Sequence, residues 1–430
     1  MKLRGTLKAT VLGALLIALL VLRLSADGQS TAKPEDVGLS SERLARITEM
    51  MKRHVTAGEI SGGVTLVARH GRIAHLEAVG VTDIDSKKPM TKDAVFRIAS
   101  MTKPVTGVAI MMMMEEGKLR ITDPVSKYIP QFKDMKVAVA LPKLASPAGA
   151  PVIDEAPAPP RFYTVPAERE ITIRDLLTHT SGLVSGPMST ADARKPAVVR
   201  KPTETLADYI PRLGMTALEF QPGTRWAYSA QAGMDTLGRI VEIVSGQPFD
   251  QFLRQRLFDP LGMKEVAFYP TETLEPRLVT AYQIGPKGTM VKNTNSGTMQ
   301  SRVYFMGSGG LITTAEEYAK FGQMLANGGE LNGKRLLSPR TVSFMSAVHI
   351  PDTLPGRQPG EGYGLSVRVV NHAVDGALRV SDGSFGWSGA YGTHFWVDPK
   401  EEIVAVMMIQ TPVRDMRPEF ENAVMQAIIK

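Results

Sequence analysis

The stretch Tyr391-Gly392-Thr393-His394-Phe395-Trp396-Val397-Asp398, then Pro399-Lys400-Glu401-Glu402, then Ile403-Val404-Ala405-Val406-Met407-Met408-Ile409-Gln410, reads as two strands about a turn. Its flanks are aromatic and β-branched, and a proline with three charged residues separates them. The other end of the chain carries a matching pair. Val64–His70 and Ile73–Gly80 are β-rich runs about a Gly71–Arg72 turn. Between these ends the period changes to that of helices, at Pro104–Gly117, Ile173–Thr178, Gln231–Ser245, Phe249–Leu257 and Thr314–Asn327. Two further helices are predicted at Ser40–His54, with Leu44, Ile47, Met50 and Met51 on one face, and at Asp415–Ile429. Strands at both ends with helices between them predict an α/β (α+β) fold. One antiparallel sheet is built from both chain ends and flanked by helices, and a mainly helical region is inserted. The sheet region is expected over about 38–99 and 335–430, the helical region over about 100–334. Leu141–Pro166, with seven prolines, reads as an irregular surface loop. No internal repeat is visible.

Composition narrows the class. Among 430 residues, 43% are hydrophobic and 22% charged, which excludes wholesale disorder. The absence of cysteine excludes disulfides, thiolate catalysis, iron–sulfur clusters and cysteine zinc sites. Lys2, Arg4, Lys8 and Arg23 fall in a first stretch of 26 residues that holds no acid, and the net charge of +7 falls to +3 without it. That balance, with no Lys/Arg run, argues against nucleic acid. The same stretch joins a basic start to the apolar core VLGALLIALLVL, the pattern of a secretory leader. The apolar run is shorter than the roughly 20 residues of a membrane-spanning helix. Residues 1–26 are therefore expected to be a signal peptide or an N-terminal anchor, followed by a linker over 27–37 and a single domain over 38–430. The expected location is periplasmic or secreted, with membrane contact only through an uncleaved leader.

Three short stretches carry chemistry. In Ser100-Met101-Thr102-Lys103, a helix starting at Ser100 puts the serine and the lysine on one side, three residues apart. A serine hydroxyl needs a base in contact with it, and a lysine amine in a dry cleft can serve. The helix N-terminus adds free N–H groups that favour developing negative charge. Gln221–Ser229 places Tyr228 at a loop-to-helix junction, where a phenol beside an ammonium can act as a base. Gly386-Trp387-Ser388-Gly389-Ala390-Tyr391-Gly392-Thr393 is a glycine-rich strand entry that lets a substrate approach the backbone. Alone, each has an ordinary reading: an N-cap serine with a solvated lysine, a packing tyrosine, a glycine-rich turn.

Together and in this order they resemble the serine β-lactamase and penicillin-binding-protein superfamily, specifically the class C β-lactamase-like serine hydrolases that include family VIII carboxylesterases. Leu176–Leu183, Gly307–Leu311, Leu261–Met263 and Phe395–Pro399 support the resemblance, which runs from about Gly38 to the C-terminus. It implies Ser100 as the acylated nucleophile, Lys103 and Tyr228 as its proton partners, and the backbone N–H groups of Ser100 and Ala390 as the oxyanion hole. Trp387, Ser388 and Gly389 would contact substrate. Which of Lys103 and Tyr228 is the formal base stays open. Two positions depart from the family pattern. Its β-lactamases and peptidases carry Lys or His where Trp387 stands, and Asn where Ala230 stands. An indole offers an apolar face without charge, which suits an uncharged ester better than a carboxylate-bearing β-lactam.

The remaining features read as structure. Met111–Met114 fill a core, and His179 is expected to make a structural hydrogen bond. His70, His75 and His394 lack metal-ligand spacing. There is no G-x-S-x-G elbow, P-loop or G-x-G-x-x-G fingerprint. The expectation is thus a cofactor-free and metal-free serine hydrolase for short-chain or small acyl esters. Its rivals are a weak β-lactamase or D-amino-acid peptidase, an acyltransferase, and a non-catalytic binding protein on the same fold.

Overall fold

The computed structural model describes residues 29–141, 162–183, 199–286 and 288–430. The expected leader, residues 27–28 of the linker and most of the proline-rich loop lie outside the described residues. The elements that position the site are, in chain order, α1 (Ser41–Thr56), β1 (Gly62–Arg69), β2 (Arg72–Gly80), α2 (Thr102–Glu115), α3 (Ala232–Ser245), α4 (Ala315–Ala326), β3 (Glu361–Tyr363), β4 (Arg368–Val370), β5 (Phe385–Ser388), β6 (His394–Asp398), β7 (Ile403–Ile409) and α5 (Met416–Met425).

The seven strands form one antiparallel sheet in the order β3-β4-β5-β6-β7-β1-β2. The C-terminal strand β7 pairs with the N-terminal strand β1 along their length, from Gly63 opposite Ile409 to Arg69 opposite Ile403. The two chain ends thus close one sheet. Every residue of β1 and of β7 is buried, because both faces of the central sheet are covered. On one face, Leu44, Ile47, Met50 and Met51 of α1 and Phe420 and Val424 of α5 pack with Val67, Ala405 and Met407. On the other, Val64, Leu66, Val404 and Val406 join a larger core with Phe321 of α4 and Met111–Met113 of α2. The sheet between them reads as continuous apolar sequence, because alternation is lost when both faces are dry.

The middle of the chain is less purely helical than its sequence suggests. Lys136–Ala140 pairs with Phe162–Pro166, so the end of the proline-rich segment is a strand rather than loop. Phe96–Arg97, Ile312–Thr313 and Val266–Ala267 form a small sheet. These strands are too short to show a period. Leu206–Leu213 is a helix that Pro211 conceals in the sequence, nucleated by a capping box of Thr205 and Asp208. The helix expected over Phe249–Leu257 relaxes into a wider π turn over Arg254–Phe258. α4, read as part of the helical region, lies across β1, β6 and β7 of the sheet. Tyr391–Thr393, read as strand, is instead a turn closed by Gly389 N–H donating to the Thr393 carbonyl at 2.7 Å.

A buried ionic network ties β4 and β6 to α5. The Arg368 guanidinium donates to Glu361 at 2.7 Å and to Glu421 at 2.9 Å, and His394 Nε2 lies 3.0 Å from Glu421. Burial raises the Glu421 carboxyl, but the hydrogen bond from His394 and the nearby charges of Arg368 and Arg417 outweigh it and hold it at about 2. Burial also holds His394 and His179 below the usual histidine range, and His75 at about 4. Each shift acts in the same direction. Between the folded and unfolded values the unfolded chain binds more protons, so stability rises with pH. Stability is expected to be full above about pH 7. It falls as acid carries the unfolded histidines through about 6.5, and again as Glu421 is carried from about 4.5 toward 2. Thermal denaturation from about pH 7.5 down to 4 checks this; a midpoint that rises on acidification to about 5.5 overturns it.

Candidate active site

Ser100 sits on a short 3-10 turn, Ala99–Met101, that leads into α2. The helix proper starts two residues later than the sequence suggested. Ala99 holds φ at +44°, a left-handed value that costs a non-glycine residue energy and is retained only where the surroundings impose it. The tight turn still stacks residues three apart, and Lys103 Nζ lies 3.1 Å from Ser100 Oγ. Lys103 is fully buried. Its other two donors go to the carbonyls of Ala230 and Ser308, each at 2.8 Å. All three donors of the amine are therefore used.

Tyr228 comes from 128 residues further along and donates its hydroxyl to Ser100 Oγ at 2.7 Å. Lys103 Nζ stands 5.0 Å from the centre of its ring. Burial alone raises a phenol's pKa. Here the Lys103 charge and the polar contacts with Lys103 and Ser100 outweigh it, so Tyr228 titrates below the usual tyrosine range. The Trp387 indole N–H acts in the same direction, although it completes no hydrogen bond.

Ser100, Tyr228, Trp387, Ser388, Gly389 and Ala390 line one cleft of about 310 Å³ together with Glu361, Arg368 and Arg417. Lys103 is not part of the cleft lining. The strand end that carries Ser388 and Gly389 runs so close to the serine turn that a Cβ on residue 389 would lie 2.3 Å from the Ile98 carbonyl. Only glycine permits that approach. Ala390 follows Gly389 in the chain and lines the same cleft as Ser100.

Sequence reasoning missed the groups that hold these residues in place. Asp235 on α3 is buried, accepts from Ser308 N–H at 2.9 Å and from Tyr304 hydroxyl at 2.8 Å, and so fixes the loop whose carbonyl receives Lys103. His179 is buried with Nδ1 accepting from Ser229 N–H at 3.3 Å. Its ring packs edge-on against Tyr228 at 5.0 Å, a structural role of the expected kind. Trp387 stands 5.5 Å from Tyr228 and 5.3 Å from Tyr363, an aromatic wall where a cation was absent from the sequence. Positive charge does reach the cleft, through Arg368 and Arg417, and Glu361 pairs with both. No single signal in the sequence joins these distant residues. Among the described residues no group of three histidines or carboxylates could hold a metal ion.

The sequence profile of the beta-lactamase family matches residues 47–428. Protein Rv1367c of Mycobacterium tuberculosis is 35% identical over 370 residues, covering 82% of this chain and 86% of its own. Esterase EstB of Burkholderia gladioli is 26% identical over 410 residues, covering 89% and 94%. The solved structure of EstCE1, described as a hydrolase with promiscuous acyltransferase activity, is 26% identical and superposes with a TM-score of 0.71 over 90% of this chain and 99% of its own. With its antiparallel sheet closed by both chain ends and a lysine and a tyrosine meeting at one serine hydroxyl, the chain belongs to the beta-lactamase family and is a serine hydrolase.

Proposed function

We propose that the protein is a carboxylesterase for short-chain or small acyl esters, acting through an acyl-enzyme on Ser100. The observation that carries this reading is the position of Ser100 Oγ, 2.7 Å from the Tyr228 hydroxyl and 3.1 Å from Lys103 Nζ, beside an indole instead of a cation. Tyr228 acts in its phenolate form, which the Lys103 charge favours, and takes the Ser100 proton as Oγ attacks the ester carbonyl. The N–H groups of Ser100 and Ala390 receive the oxyanion. The alcohol leaves with the proton from Tyr228, and water repeats the sequence to free the acid. Lys103 spends its other donors on two carbonyls, which favours Tyr228 as the base and Lys103 as the fixed charge beside it. The names of EstB and EstCE1 support ester chemistry, and transfer of the acyl group to an alcohol differs only in the acceptor. Residues 38–430 then form one hydrolase unit acting on a small acyl substrate. Residues 1–26 export it or anchor it to a membrane.

Side-by-side turnover of a short-chain nitrophenyl ester and a chromogenic cephalosporin tests this. Ester turnover is expected to exceed cephalosporin turnover by at least about 100-fold in kcat/KM, equivalent to roughly 2.7 kcal/mol. Dominant cephalosporin turnover places the enzyme with the penicillin-recognising members instead.

A further inference from the structure

Ser388 does not stand alone in the cleft. It lies directly opposite His394 in the β5–β6 register, so both side chains share one face of the sheet. Ser388 Oγ and His394 Nδ1 are 2.8 Å apart, and His394 Nε2 is 3.0 Å from Glu421 Oε1. A carboxylate can only accept, so Nε2 carries the imidazole hydrogen and donates it to Glu421. Nδ1 is then a bare lone pair, and the Ser388 hydroxyl donates to it. Glu421 is fixed in turn by Arg368 at 2.9 Å, and the His394 ring stacks on Trp396 at 5.5 Å. Burial holds the imidazole below the usual histidine range. His394 and Glu421 are buried, whereas Ser388 is only half-buried and lines both the Ser100 cleft and a neighbouring cleft of about 350 Å³.

This is the ground state of a serine–histidine–carboxylate relay: hydroxyl to neutral imidazole, imidazole to a carboxylate held ionised. We propose that Ser388, His394 and Glu421 form a second nucleophilic site in this protein, distinct from Ser100, that accepts acyl or phosphonyl groups from activated esters. In the step, Ser388 Oγ bonds to the carbonyl carbon and its proton passes to His394 Nδ1. The bond to the alcohol oxygen breaks, and the alcohol leaves with that proton. Glu421 stays ionised and stabilises the transient imidazolium. Nothing in this relay uses Ser100, Lys103 or Tyr228.

A fluorophosphonate probe reads the site directly, because Ser388 Oγ would bond to phosphorus as fluoride leaves. In full-length Ser100→Ala protein, mass spectrometry is expected to find the probe on the peptide that contains Ser388, and Ser100→Ala/Ser388→Ala is expected to carry none there. General-base help is worth about 100-fold or more, so adding His394→Gln to Ser100→Ala should slow labelling by at least that factor. Glu421→Gln, which keeps the side-chain shape, is the second variant if His394→Gln does not fold. Wild-type protein labelled on Ser100, with Ser100→Ala unlabelled on Ser388, overturns the proposal. Ser388 labelling that keeps its rate without the relay also overturns it. Failure of Ser100 itself to label counts against the esterase reading and leaves the Ser388 result readable.

Discussion

Ser100→Ala is expected to lower ester kcat/KM by about 10⁴-fold or more, while the protein keeps its fold and its thermal midpoint within a few degrees. The size follows from the nature of the step. Removing Oγ removes the covalent intermediate, and nucleophile variants of serine hydrolases retain only what substrate binding and oxyanion donors supply. The fold should survive because Ser100 is half-buried on the turn before α2, and alanine fills that turn without strain. The Ser100 hydroxyl accepts from Tyr228 and Lys103; in the variant Tyr228 faces the cleft, where water can reach it, and Lys103 keeps its two carbonyl partners. Steady-state kinetics beside a thermal melt decides the matter. Ester turnover that persists within about tenfold of wild type would remove Ser100 from the mechanism.

Lys103→Met is expected to cost both activity and stability. Methionine matches the length of the lysine stem and fills its volume, so little cavity forms. It donates nothing, and the carbonyls of Ala230 and Ser308, each 2.8 Å from Nζ, lose their partner. Each orphaned acceptor costs about 1–3 kcal/mol, so the melt should drop by several degrees. Activity should fall by about 100-fold to 10⁴-fold, because the charge that lowers the Tyr228 pKa goes with the amine. The residual rate should also move to higher pH, since Tyr228 then titrates nearer its ordinary 10. A pH–rate profile separates this from simple damage to the fold. An unshifted profile with reduced amplitude would mean that Lys103 only supports the structure.

Much of the fold was legible because its ends carry strong periodic signals. β1, β2 and β7 were found to within two residues from β-branched runs about turns. α1 was found from Leu44, Ile47, Met50 and Met51 and its Ser40 cap. β3 and β4, with three residues each, were not, since so short a strand has no period to read. α4 was recognised as a helix but not as a cover for the sheet, because amphipathicity tells a helix to bury a face without saying against what.

The site divides in the same way. Ser100, Lys103 and Tyr228 were singled out because each sits in a local pattern, and a spacing of three already faces serine to lysine. The sequence by itself determined the residue types, the spacing that faces serine to lysine, and the indole where a cation would stand. Only the tertiary structure decided that Tyr228, 128 residues away, reaches Ser100 Oγ. It also decided that Asp235 holds the Ser308 loop, and that His394, unremarkable as a lone histidine, lies between Ser388 and Glu421. The reason is physical. Local sequence sets the backbone conformation within a turn or two, whereas pairing of distant polar groups is set by where the sheet register and helix packing place them. In a dry interior those placements also decide charge, as they do for Glu421, Tyr228 and the buried histidines.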